Sequence, residues 1–152
     1  MTSGLMIDIM TEAKRVFNNE PDINLIFDGI YNNNINPIRK YASKENVNHT
    51  NMYGYTPLMY ACYYGFEKGI PLLIKRGANP NLRSHLGKNA LQISIESAAS
   101  VLSKNINYNR IIDFLIYIVS DLNSQDNYEK TAFISAAKYN ITHDVESSIS
   151  AG

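Results

Sequence analysis

The sequence has a single cysteine, no long apolar run and no surplus of either charge. One thiol, Cys62, excludes an intrachain disulfide and favours a reducing, intracellular setting. The longest apolar run, residues 111–119, is interrupted by Asp113 and is far shorter than the roughly 18 residues of a spanning helix. The N-terminus lacks the basic and apolar segments of a secretory signal. Fourteen basic residues balance fourteen acidic ones, which argues against broad nucleic-acid binding.

What the sequence does contain is an internal repeat with a period of about 33 residues. Its 152 residues, 45% of them apolar, fit one compact domain. Leu91 lies one period after Leu58, and Gly87 lies one period after Gly54. The same offset backwards reaches Leu25. A fixed period of this length is typical of repeat proteins, in which each unit packs against its neighbours.

One unit reads as a turn followed by two short helices. Gly54 supplies the backbone conformation that a tight turn needs. Thr56 is a helix cap and Pro57 suits the first turn, so a helix is predicted to begin there. Gly65 ends this helix. A second helix carries an apolar stripe and is closed by a C-terminal glycine, and its residues are Ile70, Leu72, Leu73, Ile74 and Gly77.

Two segments of this unit resemble a known pattern. Residues 53–65 read YGYTPLMYACYYG and are similar to the ankyrin pattern DxxGxTPLHxAAxxG. Residues 72–81 read LLIKRGANPN and are similar to the LLLxxGADVN that follows it. The resemblance to the ankyrin-repeat family implies an all-α fold, a solenoid of helix-turn-helix units joined by hairpin loops.

The period divides the chain into five parts. Residues 1–20 have a helical apolar stripe and are expected to form an N-terminal capping helix. Residues 22–48 form a degenerate first repeat, and 49–81 form the second. The third, 82–123, carries about nine extra residues near 97–108, counted against the second repeat. Residues 124–152 form a fourth repeat, which is either a C-terminal cap or a partial unit of a longer array.

Three positions depart from the family pattern. Met59 stands where the family has a buried histidine, which should weaken the unit without changing its fold. Pro71 lies early in the second helix, so this helix should begin late or bend. Glu129 stands where a turn glycine is expected, two residues before Thr131; Thr131 and Phe133 occupy the threonine and leucine positions of the fourth repeat.

Nothing in the sequence predicts catalysis. His49, His85 and His143 are not paired at metal-ligand spacing, and there is no cysteine cluster. Cys62 takes a small core position, where a structural thiol is expected and not a nucleophile. No glycine-rich phosphate loop is present. The sequence therefore predicts a protein that is not an enzyme and has no metal or other cofactor.

The resemblance implies a partner-binding surface on the hairpin tips and the concave side of each first helix. Repeat two would place several tyrosines on that surface, and aromatic clusters of this kind are typical of interfaces. The alternative is that Tyr60 packs between repeats and the other tyrosines are simply solvated. The candidate partner-binding residues are Tyr53, Tyr55, Tyr60, Tyr63, Tyr64, His85, Lys88, Glu96, Lys138 and Tyr139.

The expected function is binding of a cellular or host protein through the concave face, by a monomer, without nucleic acid or membrane. The loose repeats and the abundance of Asn and Ile resemble short ankyrin proteins of poxviruses and other large DNA viruses. That resemblance implies a protein of the host cytoplasm or nucleus that antagonises host defence signalling, such as NF-kappa-B. The alternative is an ankyrin piece of a longer protein, serving as its regulatory or substrate-recruiting part, as in a ubiquitin-ligase adaptor.

Overall fold

The computed structural model describes residues 21–100 and 106–138. The predicted capping helix over 1–20 lies outside these residues, as do part of the insertion and the chain after Lys138. Within the described residues all regular elements are helices, and they are α1 (Pro21–Tyr31), α2 (Asn36–Tyr41), α3 (Pro57–Tyr64), α4 (Gly69–Lys75), α5 (Ala90–Ala98), α6 (Tyr108–Ile118) and α7 (Ala132–Lys138).

The helices stack in two rows, as the all-α solenoid prediction requires. The inner row runs α1, α3, α5, α7, with each helix packed against the next. The outer helices α2, α4 and α6 each pack behind the inner helix that precedes them. The core runs through all units, and the largest fully buried side chains include Phe27, Leu58, Leu73, Leu91 and Ile95.

Each helix of the second repeat begins and ends where its residues predict. The Thr56 hydroxyl accepts the Met59 amide at 3.3 Å, and α3 ends at Gly65, whose φ is 68°. After α4, Gly77 has a φ of 102° and the Ala78 amide donates to the Leu73 carbonyl at 3.0 Å. Left-handed glycines at these sites satisfy the last carbonyls of each helix.

Pro71 causes no bend, because α4 begins only at Gly69. The proline is then the third residue of the helix, within the first turn, where the missing amide would have no helical partner anyway. Gly69 is buried, and a side chain there would collide with the Phe66 ring, whose nearest carbon would lie 2.5 Å away. The late start predicted for this helix is thus accompanied by close packing against the residues before it.

Each hairpin is built around a polar side chain that caps its own turn. The Asn51 amide oxygen accepts the amides of Tyr53 and Tyr55, both at 3.0 Å. Asp126 does the same for Tyr128 and Lys130, at 2.8 and 3.0 Å. Successive hairpins are also tied together by the residues at their tips: the His85 amide donates to the Tyr53 carbonyl, and the Asn127 amide donates to the Leu86 carbonyl.

Leu25 lies in phase with Leu58 but is not buried like it. Leu58 and Leu91 are almost fully buried, whereas Leu25 is 40% exposed. Among the described inner helices, α3 packs against α1 on one side and α5 on the other, whereas α1 packs against α3 alone. Burial in the first unit is instead carried by neighbouring positions, namely Ile23, Ile26, Phe27 and Ile30.

Candidate functional site

The tyrosines of the second repeat lie together with one from the first on one side of the inner row. Tyr53 is 51% exposed, Tyr63 is 45% exposed and Tyr31 is 52% exposed. Tyr55 and Tyr64 are partly exposed between them. We call Tyr31, Tyr53, Tyr55, Tyr63 and Tyr64 the tyrosine face.

The rings of the tyrosine face contact one another in a continuous chain. Tyr31 meets Tyr64 with ring centroids 5.4 Å apart, and Tyr64 meets Tyr63 at 5.0 Å. Tyr63 meets Tyr55 at 6.1 Å, and Tyr55 meets Tyr53 at 6.5 Å. Edge-to-face pairs of this kind hold rings in place beyond their simple burial. The face is therefore a fixed aromatic surface rather than a set of independent side chains.

Tyr60 does not belong to this exposed surface. Its ring is only 7% exposed and is packed between Phe27 of α1, at 5.2 Å, and Tyr64, at 4.7 Å. The Tyr60 side chain packs between repeats, as the alternative expected for this residue, so it is not an exposed member of the face; its contact with a partner stays a prediction. Tyr60 is buried because the bulky Phe27, at the equivalent position of the preceding repeat, packs against its ring. Tyr60 supports the tyrosine face from beneath.

A groove of about 470 Å³ runs along the tyrosine face. It is lined by apolar and uncharged side chains together with one histidine, and its residues are Asn51, Met52, Tyr53, Tyr55, Tyr60, Tyr63, Tyr64, His85 and Leu86. We call it the tyrosine groove. Concave, mostly aromatic sites of this size with a few polar groups are typical of ligand and peptide binding.

A second, smaller hollow of about 200 Å³ lies next to the groove. It shares three walls with the groove and adds residues from α5 and from the start of α6, and its lining is Tyr55, Tyr63, Tyr64, Ile93, Glu96, Ser97, Ser100, Ile106 and Tyr108. We call it the Glu96 hollow. The Tyr108 hydroxyl donates to the Tyr63 carbonyl at 2.8 Å, which ties the start of α6 to the last turn of α3.

The stacked helices agree with what comparison of the sequence with known proteins finds. The family profile described as "Ankyrin repeats (3 copies)" matches residues 26–111, more than half of the chain. The chain belongs to the ankyrin-repeat family. It is also similar to the ankyrin repeat protein L92 of Acanthamoeba polyphaga mimivirus, with 35% identity over 54 residues. This similarity covers 35% of the chain and 13% of that viral protein, so the chain spans only a small part of its relative.

Lys88 and Glu96, both predicted as partner contacts of the ankyrin surface, form an ion pair with each other. Lys88 Nζ lies 2.6 Å from Glu96 Oε2, and the two side chains are 14% and 27% exposed. Burial lowers the pKa of Lys88, but the hydrogen bond and the charge of Glu96 outweigh it, so the pKa is raised overall. Lys88 therefore folds from the hairpin onto α5 and is not a free cation at a hairpin tip.

Burial makes four tyrosine hydroxyls at or beneath this surface harder to ionise. It raises the pKa of Tyr55, Tyr60 and Tyr64. Burial also raises the pKa of Tyr108, to about 12. A partner therefore meets these four hydroxyls as neutral groups at physiological pH.

The remaining candidates are spread over the ankyrin solenoid. His85 lines the tyrosine groove, and Lys138 is exposed on α7. Tyr139 lies outside the described residues. Cys62 is buried in the core. Among the described residues no group of three or more acidic, histidine or cysteine side chains could hold a metal ion, and no helix there is long and apolar enough to cross a membrane.

Several residues that line the site are absent from the candidate partner-binding residues, and three of them show why. Leu86 lines the groove and lies one repeat period after Tyr53. It therefore occupies the equivalent position of the next hairpin and could have been predicted from the repeat period. Ile106 and Tyr108 line the Glu96 hollow, but they lie at the end of the insertion, which interrupts the repeat period, so no sequence signal predicts their position.

A buried polar residue that sequence reasoning passed over joins the third repeat to the fourth. Gln92 occupies the position of the family histidine, one repeat period after Met59. Its side chain donates to the carbonyls of Ser124 and Lys130 and accepts the Asn89 amide. The Asn89 and Gln92 pair is a capping box, whose spacing is visible in the sequence.

Proposed function

We propose that this chain binds a segment of a partner protein at the tyrosine face and its groove. Ankyrin repeats are generally protein–protein interaction modules, which supports the proposal. The observation that carries the proposal is a contiguous row of exposed rings along a groove of about 470 Å³. Tyrosine is favoured at interfaces because it offers a large, rigid, amphipathic area at low cost in side-chain entropy.

A double substitution tests this proposal. Tyr63→Ala with Tyr64→Ala removes two central rings of the face, and truncation of central interface aromatics commonly costs about 2 kcal/mol or more each. We expect partner capture from a cell lysate, quantified by mass spectrometry, to fall by at least about tenfold. Because Tyr64 also contacts Tyr60, the single variant Tyr63→Ala is measured beside it, with thermal melting to verify folding.

Tyr117 provides the matched control. It lies on the outer helix α6, is 91% exposed and makes no ring contact among the described residues. Tyr117→Ala removes the same side chain from a different surface, so the captured proteins should be unchanged. If folded Tyr63→Ala and the double variant capture the same proteins as the wild type, binding does not occur at the tyrosine face.

The similarity to a mimivirus protein supports a finer proposal, that the partner is a host protein and that the chain acts against host defence signalling. The experiment is to express the chain in cells carrying a defence-pathway reporter, such as an NF-kappa-B reporter. Reduced induction by the wild type, and normal induction with the double tyrosine variant, would support it. Equal induction with both would oppose it.

The second candidate is that these repeats recruit a partner for a longer protein, for example a ubiquitin-ligase adaptor. The observation that favours it is the length of the viral relative, of which the matched region is 13%. An antibody raised against residues 49–81 would detect a product well above 17.1 kDa in the source cells if this is correct. Detection of a 17.1 kDa product and no larger one would oppose it.

A further inference from the structure

The two neighbouring cavities on the tyrosine face differ in charge, and that difference indicates what kind of segment fits them. We propose that the Glu96 hollow holds an arginine side chain of the partner, while the adjoining tyrosine groove holds an apolar side chain close to that arginine in sequence. The inference rests on the proposed function, since it names the chemistry of the segment bound at the same surface.

The charge of the hollow comes from Glu96. Among the described residues that line the hollow, Glu96 is the only one with a charged side chain. Lys88, its ion-pair partner, contacts Oε2 but is not part of the lining. A carboxylate has about four acceptor positions, so one ammonium does not exhaust it. Because Glu96 lines the hollow, we expect a cation that enters it to use the acceptor positions that Lys88 leaves unoccupied.

The walls of the hollow also suit a cation. Tyr55 and Tyr63 are inclined at 60°, and Tyr63 and Tyr64 at 80°, so the three shared rings turn their surfaces in different directions around it. A cation over the face of a tyrosine ring is attracted by the ring quadrupole, more strongly where water is excluded. The raised pKa of Tyr55 and Tyr64 keeps these rings neutral at physiological pH.

Arginine fits this combination better than lysine. Its guanidinium is planar, stacks on aromatic faces and forms paired hydrogen bonds with a carboxylate, whereas an ammonium is a compact and strongly hydrated point charge. The tyrosine groove, by contrast, is lined without acidic or basic side chains other than His85. It is therefore suited to an apolar side chain of the same segment.

The shared walls place the two side chains close together. Tyr55, Tyr63 and Tyr64 line both cavities, so their contents are separated by little more than one ring. In an extended segment, residues two apart lie on the same side, about 7 Å from each other. The segment we propose therefore carries an apolar residue and an arginine that are two positions apart.

The experiment begins with selection of a random phage-displayed peptide library on the full chain. The best-enriched peptide is synthesised in two forms, one with arginine and one with citrulline, the neutral isostere of arginine. We expect enrichment of arginine two positions from an apolar residue, and about tenfold weaker binding of the citrulline form to the wild type by calorimetry. Equal affinities of the two forms, or enrichment of acidic peptides, would overturn the inference.

Variants that remove one charge or both test whether Glu96 causes the preference for the arginine peptide over the citrulline peptide. Glu96→Gln should abolish the difference between the two peptides, whereas Lys88→Met, which leaves the carboxylate in place, should keep or increase it. Because Glu96→Gln leaves Lys88 unpaired and half-buried, the double variant Lys88→Met with Glu96→Gln is measured as well. It removes both charges and should also show no difference. A preference that persists in folded Glu96→Gln and in the double variant would refute the role of Glu96.

The tyrosine variants separate the two proposals. Suppose that the peptide no longer binds Tyr63→Ala, while the wild type binds the arginine and citrulline forms with equal affinity. Only the arginine inference then fails. If the peptide binds Tyr63→Ala and the double tyrosine variant as well as the wild type, the tyrosine face is not the binding site and the proposed function fails too. A library that yields no enriched peptide counts against both.

Discussion

Replacing Gln92 by methionine should destabilise the protein by about 3 kcal/mol. Gln92 is 1% exposed and makes three hydrogen bonds to backbone groups, at 2.9, 3.0 and 3.2 Å. Methionine has a similar volume, so it leaves little cavity, but it satisfies none of these groups. Each lost bond to a buried backbone group costs about 1 kcal/mol or more.

The measurement is urea unfolding followed by circular dichroism, with a thermal melt beside it. A loss of about 3 kcal/mol corresponds to a fall in Tm of about 6–12 °C for a chain of this size. Met59→Leu is the matched control, because Met59 occupies the same position one repeat earlier and is equally buried. A volume-conserving apolar exchange there should cost less than about 1.5 kcal/mol.

The hydrogen bonds of Gln92 also indicate which part of the chain Gln92→Met should destabilise most. Gln92 links α5 to the hairpin that runs from Ser124 to Lys130, so amide exchange should accelerate in this hairpin before it does in α3. If Gln92→Met lowers stability by less than about 1 kcal/mol, or no more than Met59→Leu does, then the buried amide is not what joins the third and fourth repeats.

Three further results are expected. Glu129→Gly should raise the free energy of unfolding by about 0.5–1 kcal/mol in urea titration, because Glu129 has a φ of 61° that costs an L-residue about 1–2 kcal/mol; an unchanged midpoint would contradict this. Burial raises the pKa of the Cys62 thiol to about 12, so a disulfide reagent near pH 8 should label it only as fast as the chain unfolds; rapid labelling of the folded protein would contradict it. Tyr55, Tyr60 and Tyr64 have a raised pKa in the folded state, so the unfolded chain ionises first; the stability that these groups contribute is full below about pH 10 and should be lost progressively above it. Urea midpoints that stay level from about pH 8 to about pH 11 would refute this.

Local backbone features could be predicted from the sequence because they depend on few neighbours. Thr56, Gly65 and Gly77 cap their helices as expected, and Gly54 takes the positive φ that its turn requires. Glu129 takes a similar φ although it is not glycine, because the Asp126 side chain holds the turn from within. The repeat pattern thus predicts the turn even where its usual residue is missing.

Side-chain depth and charge pairing could not be predicted in the same way. Helical spacing indicates the face on which Tyr60 lies but not its depth, which depends on the size of Phe27 in the preceding unit. Lys88 and Glu96 are eight residues apart, and they meet only because the hairpin folds back over α5. Tyr108 lines the hollow and donates a hydrogen bond to the carbonyl of Tyr63, 45 residues earlier in the sequence. The insertion lies between the two residues, so the repeat period does not predict this contact.

Equivalent positions of the inner helices fall into two kinds: positions that must be buried for the repeats to stack, and positions whose side chain the stacking does not constrain. The first row, Phe27, Tyr60, Ile93 and Ser135, is buried in all four units, although its members differ widely in size and polarity. The second row runs from buried Ile30 through exposed Tyr63 to Glu96 and exposed Lys138. Since the same fold accepts an aliphatic, an aromatic, an acidic and a basic residue in that row, stacking does not demand the tyrosine at 63. Its ring is held by other rings and walls both cavities, so partner binding is the role that best accounts for it.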